Sequence, residues 1–434
     1  MMTGSAAAPR LHRKGEKPME GNVKLDRRTV LKSMGAAVAL PAIGRGAQAQ
    51  ATETIVIGGS VPLSGRAAET GLNVNNGYLA AQKFFNEQLN GVEIDGKRYK
   101  IDVRLFDDAS DPARASTLIQ RHLDDGVQFF LGSFGSNIVL PTAAIVERAG
   151  KPMMQTGGAS DQIYTQGYKN IFCMFPRASR QLYNTIEYFK VLQPAPKSIM
   201  FAMANDAFSK TLAEGAIAFG KEKGLPINDI VTLPENITDA SSLVNQIRSK
   251  KPDVLLATTH DQNSLLIARQ LISSNVDVPL LYLSLGPQLK SFRDALGGYS
   301  EGLYFQQFWD ERSPYKDAFF GSAQKFADYY RQHFKRDIAY HTASGAACIV
   351  AYVHAMKAAN SLDPAKVRDK LATLDVESLY GRIKFTPEGD GDPVHLGSTV
   401  GQVLKGTAEV VFPEASRTAA PVFPAPKWAE KRRG

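Results

Sequence analysis

Two cysteines and two tryptophans are all that this chain of 434 residues carries. Cys173 and Cys348 lie far apart in the sequence, with no Cys-x-x-Cys pair. That spacing argues against zinc ribbons, thioredoxin-like redox pairs and disulfide-framework folds, and the two read as buried free thiols. The seven histidines (His12, His122, His260, His333, His341, His354, His395) show no metal-ligand spacing. There is no His-Glu-x-x-His, no Gly-x-Ser-x-Gly elbow, no P-loop and no Gly-x-Gly-x-x-Gly, so the chain is read as non-catalytic and without a cofactor. After residue 51 no apolar run is long enough to cross a bilayer. An excess of charge is missing too, once the chain is divided. The net charge is +8, but nine Lys/Arg against three acids in the first 51 residues contribute +6 of it. A body near +2 gives no reason to expect a nucleic-acid partner.

Those first 51 residues read as an extension followed by an export leader. Asp26-Arg27-Arg28-Thr29-Val30-Leu31-Lys32 is a twin-arginine pattern, Met34 to Ile43 is weakly apolar, and Ala47-Gln48-Ala49 offers a cleavage site. The expectation is a protein exported to the periplasm by the twin-arginine route.

What is present in abundance is alternation. Ile55-Val56-Ile57, Ile101 to Phe106, Val127 to Leu131 and Met153-Met154 are short apolar runs separated by helical patterns. The same rhythm resumes at Ile171, Ile199, Ile230, Val254, Leu280 and Leu303. Strands alternating with helices argue for βαβ units and parallel sheets, here in two lobes of similar size. From Pro314 to Ala359 the pattern is helical only, with Phe319, Phe320, Phe326, Tyr329 and Tyr330 on one long helix. The tail from Pro421 is proline-rich and basic and reads as a loose end.

In parallel sheets the ligand crevice lies beyond the carboxyl ends of the strands. Ser136 and Asn137, placed just before a helix starting near Pro141, and the turn Gly157-Gly158-Ala159-Ser160 stand there. Small hydroxyls and unpaired backbone N–H groups at helix starts suit a carboxylate. Ordinary strand-to-helix turns have the same composition, and the residues alone leave both readings open. Asp107, Asp108 and Asp111 cluster before Pro112 and read as helix capping rather than a cation site.

From Ile55 to about Gly401 the chain resembles the substrate-binding proteins of branched-chain amino acid ABC importers, the leucine/isoleucine/valine-binding family. The resemblance rests on Ile57-Gly58-Gly59, Pro62-Leu63-Ser64-Gly65, Asp107-Asp108 to Asp111-Pro112, Leu131-Gly132-Ser133 with Ser136, Gly158-Ala159-Ser160, and Gly381 to Phe385 with Gly389-Asp390. It implies an α/β fold of two Rossmann-like lobes with parallel sheets and three hinge crossings, the type I periplasmic binding fold. It places the first lobe at 52–176 and 308–380 and the second at 177–307 and 381–420, with a flexible basic tail at 421–434. It implies a monomer that closes over a small carboxylate and delivers it to a membrane-embedded ABC permease, or serves as the sensory partner of a signalling system. Ser136 resembles the serine that hydrogen-bonds the ligand carboxylate. Ala159 and Ser160 resemble the partners of the α-carboxylate and α-amino group. Phe208 matches an aromatic of the second lobe, and His260 and Asp261 lie near a second-lobe loop that reaches the ligand. Where the amino-acid binders carry an acid for the ligand ammonium, this chain reads Ser284-Leu285-Gly286-Pro287. That departure opens an aromatic or other non-amino carboxylate as the alternative to a hydrophobic amino acid. Phe208, Tyr304, Trp309 and His341 would then line a flat apolar cleft.

Overall fold

The computed structural model describes residues 53–431, so the twin-arginine stretch, its cleavage site and residues 432–434 lie outside the described residues. The first lobe is built on a six-stranded sheet: β1 (Glu53–Val61), β2 (Val92–Ile94), β3 (Lys97–Asp107), β4 (Phe129–Leu131), β5 (Met153–Gln155) and β6 (Ile171–Cys173), in the order β2-β3-β1-β4-β5-β6. All its pairings are parallel except the β2–β3 edge. Strands β4, β5 and β6 are buried at every position rather than alternating, as a sheet covered on both faces requires. Helices α1 (Ala68–Lys83), α2 (Pro112–Asp124) and α3 (Ser136–Arg148) follow β1, β3 and β4. Asp111 caps α2, accepting from the Arg114 N–H at 2.6 Å, while Asp107 accepts from the Leu63 and Ser64 N–H groups. The acidic cluster thus shapes loops.

The second lobe carries a seven-stranded sheet. Its parallel part is β7 (Ile199–Ala204), β8 (Ile227–Leu233), β9 (Val254–Thr258), β10 (Leu280–Leu283) and β11 (Tyr304–Gln307). Between β11 and the rest of that sheet the chain returns to the first lobe and forms two small ribbons. These are β12 (Lys316–Asp317) with β13 (Gly321–Ser322), and β14 (Asp375–Ser378) with β15 (Gly381–Lys384). The antiparallel pair β16 (Thr399–Leu404) and β17 (Thr407–Phe412) then completes the second sheet beside β11.

Four local expectations need correction. Helix α3 starts at Ser136 rather than Pro141. Gly135 takes φ +104, which lets the chain turn straight into the helix, and Ile138, Val139, Ala143 and Val146 bury on the inside strongly enough to carry Pro141 in the interior. The helix expected from Tyr315 starts only at Ala323, because the buried Asp317 accepts from the N–H groups of Phe319, Phe320 and Leu379 and folds the segment into a turn. The third crossing lies between Leu396 and Val400, not at 380/381. Ribbon β14–β15 buries Ile383 and Phe385 in the first-lobe core, with the Phe385 ring 5.3 Å from Phe172, whereas Val400 belongs to the second. The tail is not loose as far as residue 431. Trp428 is buried, its indole N–H reaches the Val276 carbonyl at 2.7 Å, and the Val422 N–H reaches Gln402 at 2.9 Å.

Candidate functional site

The site begins where β4 runs out. Gly135 turns the chain, and Ser136 takes the first position of α3. The N–H groups of Ser136 and Asn137 therefore face outward, beyond the reach of their own helix's carbonyls. The buried Ser136 Oγ accepts from the N–H groups of Ala159 at 3.1 Å and Ser160 at 3.0 Å. With two donors already received, this hydroxyl has its proton left to give.

Above this floor a narrow space lies between the lobes. Phe134, Gly135, Ser136, Thr156, Gly157, Ala159, Phe175, Phe308, Tyr340 and His341 line it from the first lobe. Gln181, Phe208, His260, Leu285 and Gln306 line it from the second. The walls are aromatic. Phe134 meets His341 edge-on with ring centres 5.1 Å apart, Phe175 and Phe308 are 4.6 Å apart, and Phe208 lies 5.8 Å from His260. Among the described residues, no Asp, Glu, Lys or Arg lines the space.

Ionisable groups stand one layer back. Asp206 caps the helix Ala207–Glu222 through the N–H groups of Phe208 and Ser209, both at 3.0 Å. Its carboxylate also lies 3.4 Å from His260 Nε2. Burial alone would raise the Asp206 carboxyl, but the His260 and Ser209 contacts outweigh it and hold the group at about 2. Burial would lower the His260 imidazole, yet the Asp206 hydrogen bond and charge, with Asp261, push it up. The Asp261 carboxyl is raised by burial, against the pull of His260. His341 has no such partner, and burial drives its imidazole down to about 3, so it is neutral at ordinary pH.

Of the residues expected from the sequence, Ser136, Ala159, Phe208 and His260 come together in this space. Asn137 and Asp261 line an adjoining cavity near the mouth, with Arg66 and Glu235. His260 faces both cavities. Ser160 lines neither. It opens the one-turn helix Asp161–Tyr164, gives its N–H to Ser136, and sets its Oγ 3.4 Å from Thr211 Oγ1 of the second lobe. The Ala159 N–H is likewise spent on Ser136, so in this closed form neither amide is offered to a guest. Tyr304 and Trp309 are core residues, bonded to the carbonyls of Val422 and Leu379. Sequence reasoning missed Phe134, Phe175, Phe308 and Leu285, although each follows the end of a strand within three residues. It also missed Tyr340, Gln181 and Gln306, whose positions depend on how the lobes meet.

The segment that departs from the amino-acid binders is neutral in place. Ser284 Oγ bonds both the N–H and the carbonyl of Thr259, and Leu285 reaches the cavity.

Comparison with known proteins agrees with this architecture. A family model described as periplasmic binding protein matches residues 54–407. The chain is 28% identical to the Leu/Ile/Val-binding protein BraC3 of Rhizobium johnstonii over 50% of its own length and 58% of that protein's. To the Leu/Ile/Val-binding protein homolog 7 of Brucella melitensis it is 25% identical, over 85% of this chain and 94% of that one. Among solved structures, the substrate-binding protein LivJ of Streptococcus pneumoniae in complex with isoleucine superposes with a TM-score of 0.72 at 21% identity, covering 83% of this chain and all of that one. A solute-binding protein of R. palustris in complex with benzoate gives 0.70 at 16% identity, covering 85% and 98%. At such identities these two structures speak for the fold alone. The family match spans most of the chain and coincides with its two lobes, and the chain belongs to the periplasmic binding protein family.

Proposed function

We propose that this protein captures a small carboxylic acid with an apolar body between its lobes and delivers it to an ABC permease. In this reading it works as a monomer, exported by the twin-arginine route that Arg27-Arg28 suggests, and carries out no chemistry on its guest. The observation that carries the reading is the pairing of a donor-rich floor with aromatic walls. The Ser136 hydroxyl and the first N–H groups of α3 offer hydrogen bonds and the positive end of a helix dipole, while among the described residues no Asp, Glu, Lys or Arg stands in the walls. A carboxylate is satisfied by such neutral donors, and an apolar body by the rings.

Titration calorimetry against paired acids tests this reading. Leucine is set against isocaproate, and phenylalanine against hydrocinnamate, each pair differing in the α-amino group. Tighter binding of the deaminated acids is expected, since an ammonium would enter a space without a carboxylate. Uncharged sugars binding in place of every acid would overturn the proposal. Ser136→Ala should weaken the preferred acid by about 1–3 kcal/mol, the scale of one lost buried hydrogen-bond partner. An α-amino acid remains the second reading, because Asp206 Oδ2 is buried without a partner just behind His260. Tighter binding of leucine or phenylalanine than of their deaminated partners would favour it.

A further inference from the structure

Two buried polar atoms of cavity residues have no partner among the described residues. Nδ1 of His341, on the first lobe, makes no hydrogen bond, and neither does Oε1 of Gln306, on the second. Both residues line the inter-lobe space, His341 at 3% exposure and Gln306 at 0%. The Gln306 amide is oriented by its other end, since its Nε2 donates to Gln181 Oε1 at 3.1 Å. Gln181 in turn donates its own Nε2 to the Pro176 carbonyl at 2.7 Å. The orphaned Oε1 is thus an acceptor locked in place at the hinge. His341 is held by Phe134 and Tyr340, whose ring centres lie 5.1 and 3.9 Å away.

A buried polar atom without a partner is costly, and two on residues that line one cavity call for an explanation. The chemistry of the atoms narrows what would satisfy them. Gln306 Oε1 only accepts, which rules out a second carboxylate against it. A neutral imidazole offers one N–H and one acceptor nitrogen. An ammonium would suit the glutamine oxygen, but no carboxylate lines the cavity to balance its charge. A hydroxyl fits both, giving its proton to Gln306 Oε1 and accepting from an imidazole N–H. Together with aromatic walls, this describes a flat guest that carries an uncharged hydroxyl as well as its acid group.

We propose that His341 and Gln306 form a hydroxyl-reading subsite contributed by both lobes, and that the protein selects hydroxylated aromatic monocarboxylates over their unsubstituted parents. The inference rests on the carboxylate reading of the preceding subsection and names the class of acid. Because the two atoms come from opposite lobes, the hydroxyl is also a bridge that forms only when the lobes close around it. A site built to bond a hydroxyl rejects the analogue lacking it, because its own polar groups are then left unpaired.

The test is calorimetry with benzoate, the three monohydroxybenzoates, hydrocinnamate and its para-hydroxyl derivative. At least one hydroxylated acid is expected to bind tenfold or more tightly than its parent. His341→Phe and Gln306→Leu are each expected to bring that ratio down towards one, a change that mere loosening of the fold would not produce. Thermal melts establish that each variant is folded, and the wild-type ratio decides the matter even where a variant does not fold. Parents binding as tightly as every hydroxylated acid, or a ratio that survives both substitutions, would overturn the subsite while leaving the carboxylate reading intact. Absence of binding by every carboxylate would overturn both.

Discussion

Asp390 is fully buried, and its one charged partner is Arg177 among the described residues. It accepts from Arg177 through the backbone N–H at 3.0 Å, Nε at 3.3 Å and Nη2 at 2.8 Å, and from the Thr386 hydroxyl at 2.5 Å. Arg177 opens the second lobe and Asp390 precedes the last crossing, so the pair ties two of the three hinge strands together. Asp390→Ala would leave the guanidinium only the half-exposed Glu388, 3.2 Å away, as counter-ion, and a loss of up to about 3–5 kcal/mol is expected in urea unfolding. Gly389-Asp390 was visible in the sequence as part of a familiar turn, but its partner was not, because 213 residues separate the two. His341 yields a pH prediction at the same scale. Its imidazole, ordinarily near 6.5, is held at about 3 in the fold, so between those values the unfolded chain binds the extra proton. The sign follows: the contribution is whole above pH 6.5 and is lost as pH falls towards 3. His341→Phe should therefore flatten the fall in melting temperature across that window relative to the wild type.

Among the elements, α1 and the helix Tyr340–Ala359 approach most closely where glycines face each other. A Cβ on Gly77 would stand 2.2 Å from the Thr342 carbonyl oxygen, and one on Gly345 2.8 Å from that of Val74. Gly77→Ala must push the helices apart, and about 1–3 kcal/mol of destabilisation is expected by thermal unfolding. Thr342 adjoins His341, so the same displacement should also weaken ligand binding measured by calorimetry. The sequence pattern showed both helices, α1 through the spacing of its apolar residues and Tyr340–Ala359 as an alanine-rich run. It failed where a single tertiary bond decides the local form. Asp317 breaks the expected helix by capturing three backbone N–H groups, and Gly135 starts α3 five residues before the proline that looked like its beginning. Site residues follow the same division. Ser136 and Ala159 were legible as small residues at strand-to-helix junctions, whereas Gln306 is a strand residue whose exposure to the cleft comes only from the neighbouring hinge.

For the molecule as a whole, the two-lobe plan was legible because buried parallel strands read as apolar runs. The last crossing and the anchored tail were not, because each depends on which core a few late residues join. Val400 pairs into the second sheet only after Phe385 and Leu396 have packed in the first lobe, and Trp428 finds its place against Val276. The lips of the cleft are likewise set by contacts distant in sequence. Arg66 of the first lobe forms an ion pair with Glu235 of the second and donates from Nη1 to Asn236 Oδ1 at 2.9 Å. Its carbonyl receives Gln262 Nε2 at 3.1 Å, and Ser291 bonds Glu69 nearby. These contacts exist only when the lobes are shut, so they shift the balance between open and closed forms without touching the ligand. The Arg66–Glu235 pair is about a third exposed, which limits it to the scale of a surface ion pair, about 0.2–1 kcal/mol. Arg66→Ala keeps the carbonyl contact and the Ser291–Glu69 bond and removes the ion pair and the Asn236 hydrogen bond. Its expected effect is an affinity up to roughly fivefold weaker, carried mainly by faster dissociation in stopped-flow measurements. Small-angle scattering of the ligand-free variant should show a larger radius of gyration than the wild type; identical curves, with dissociation unchanged, would mean that the lips do not latch.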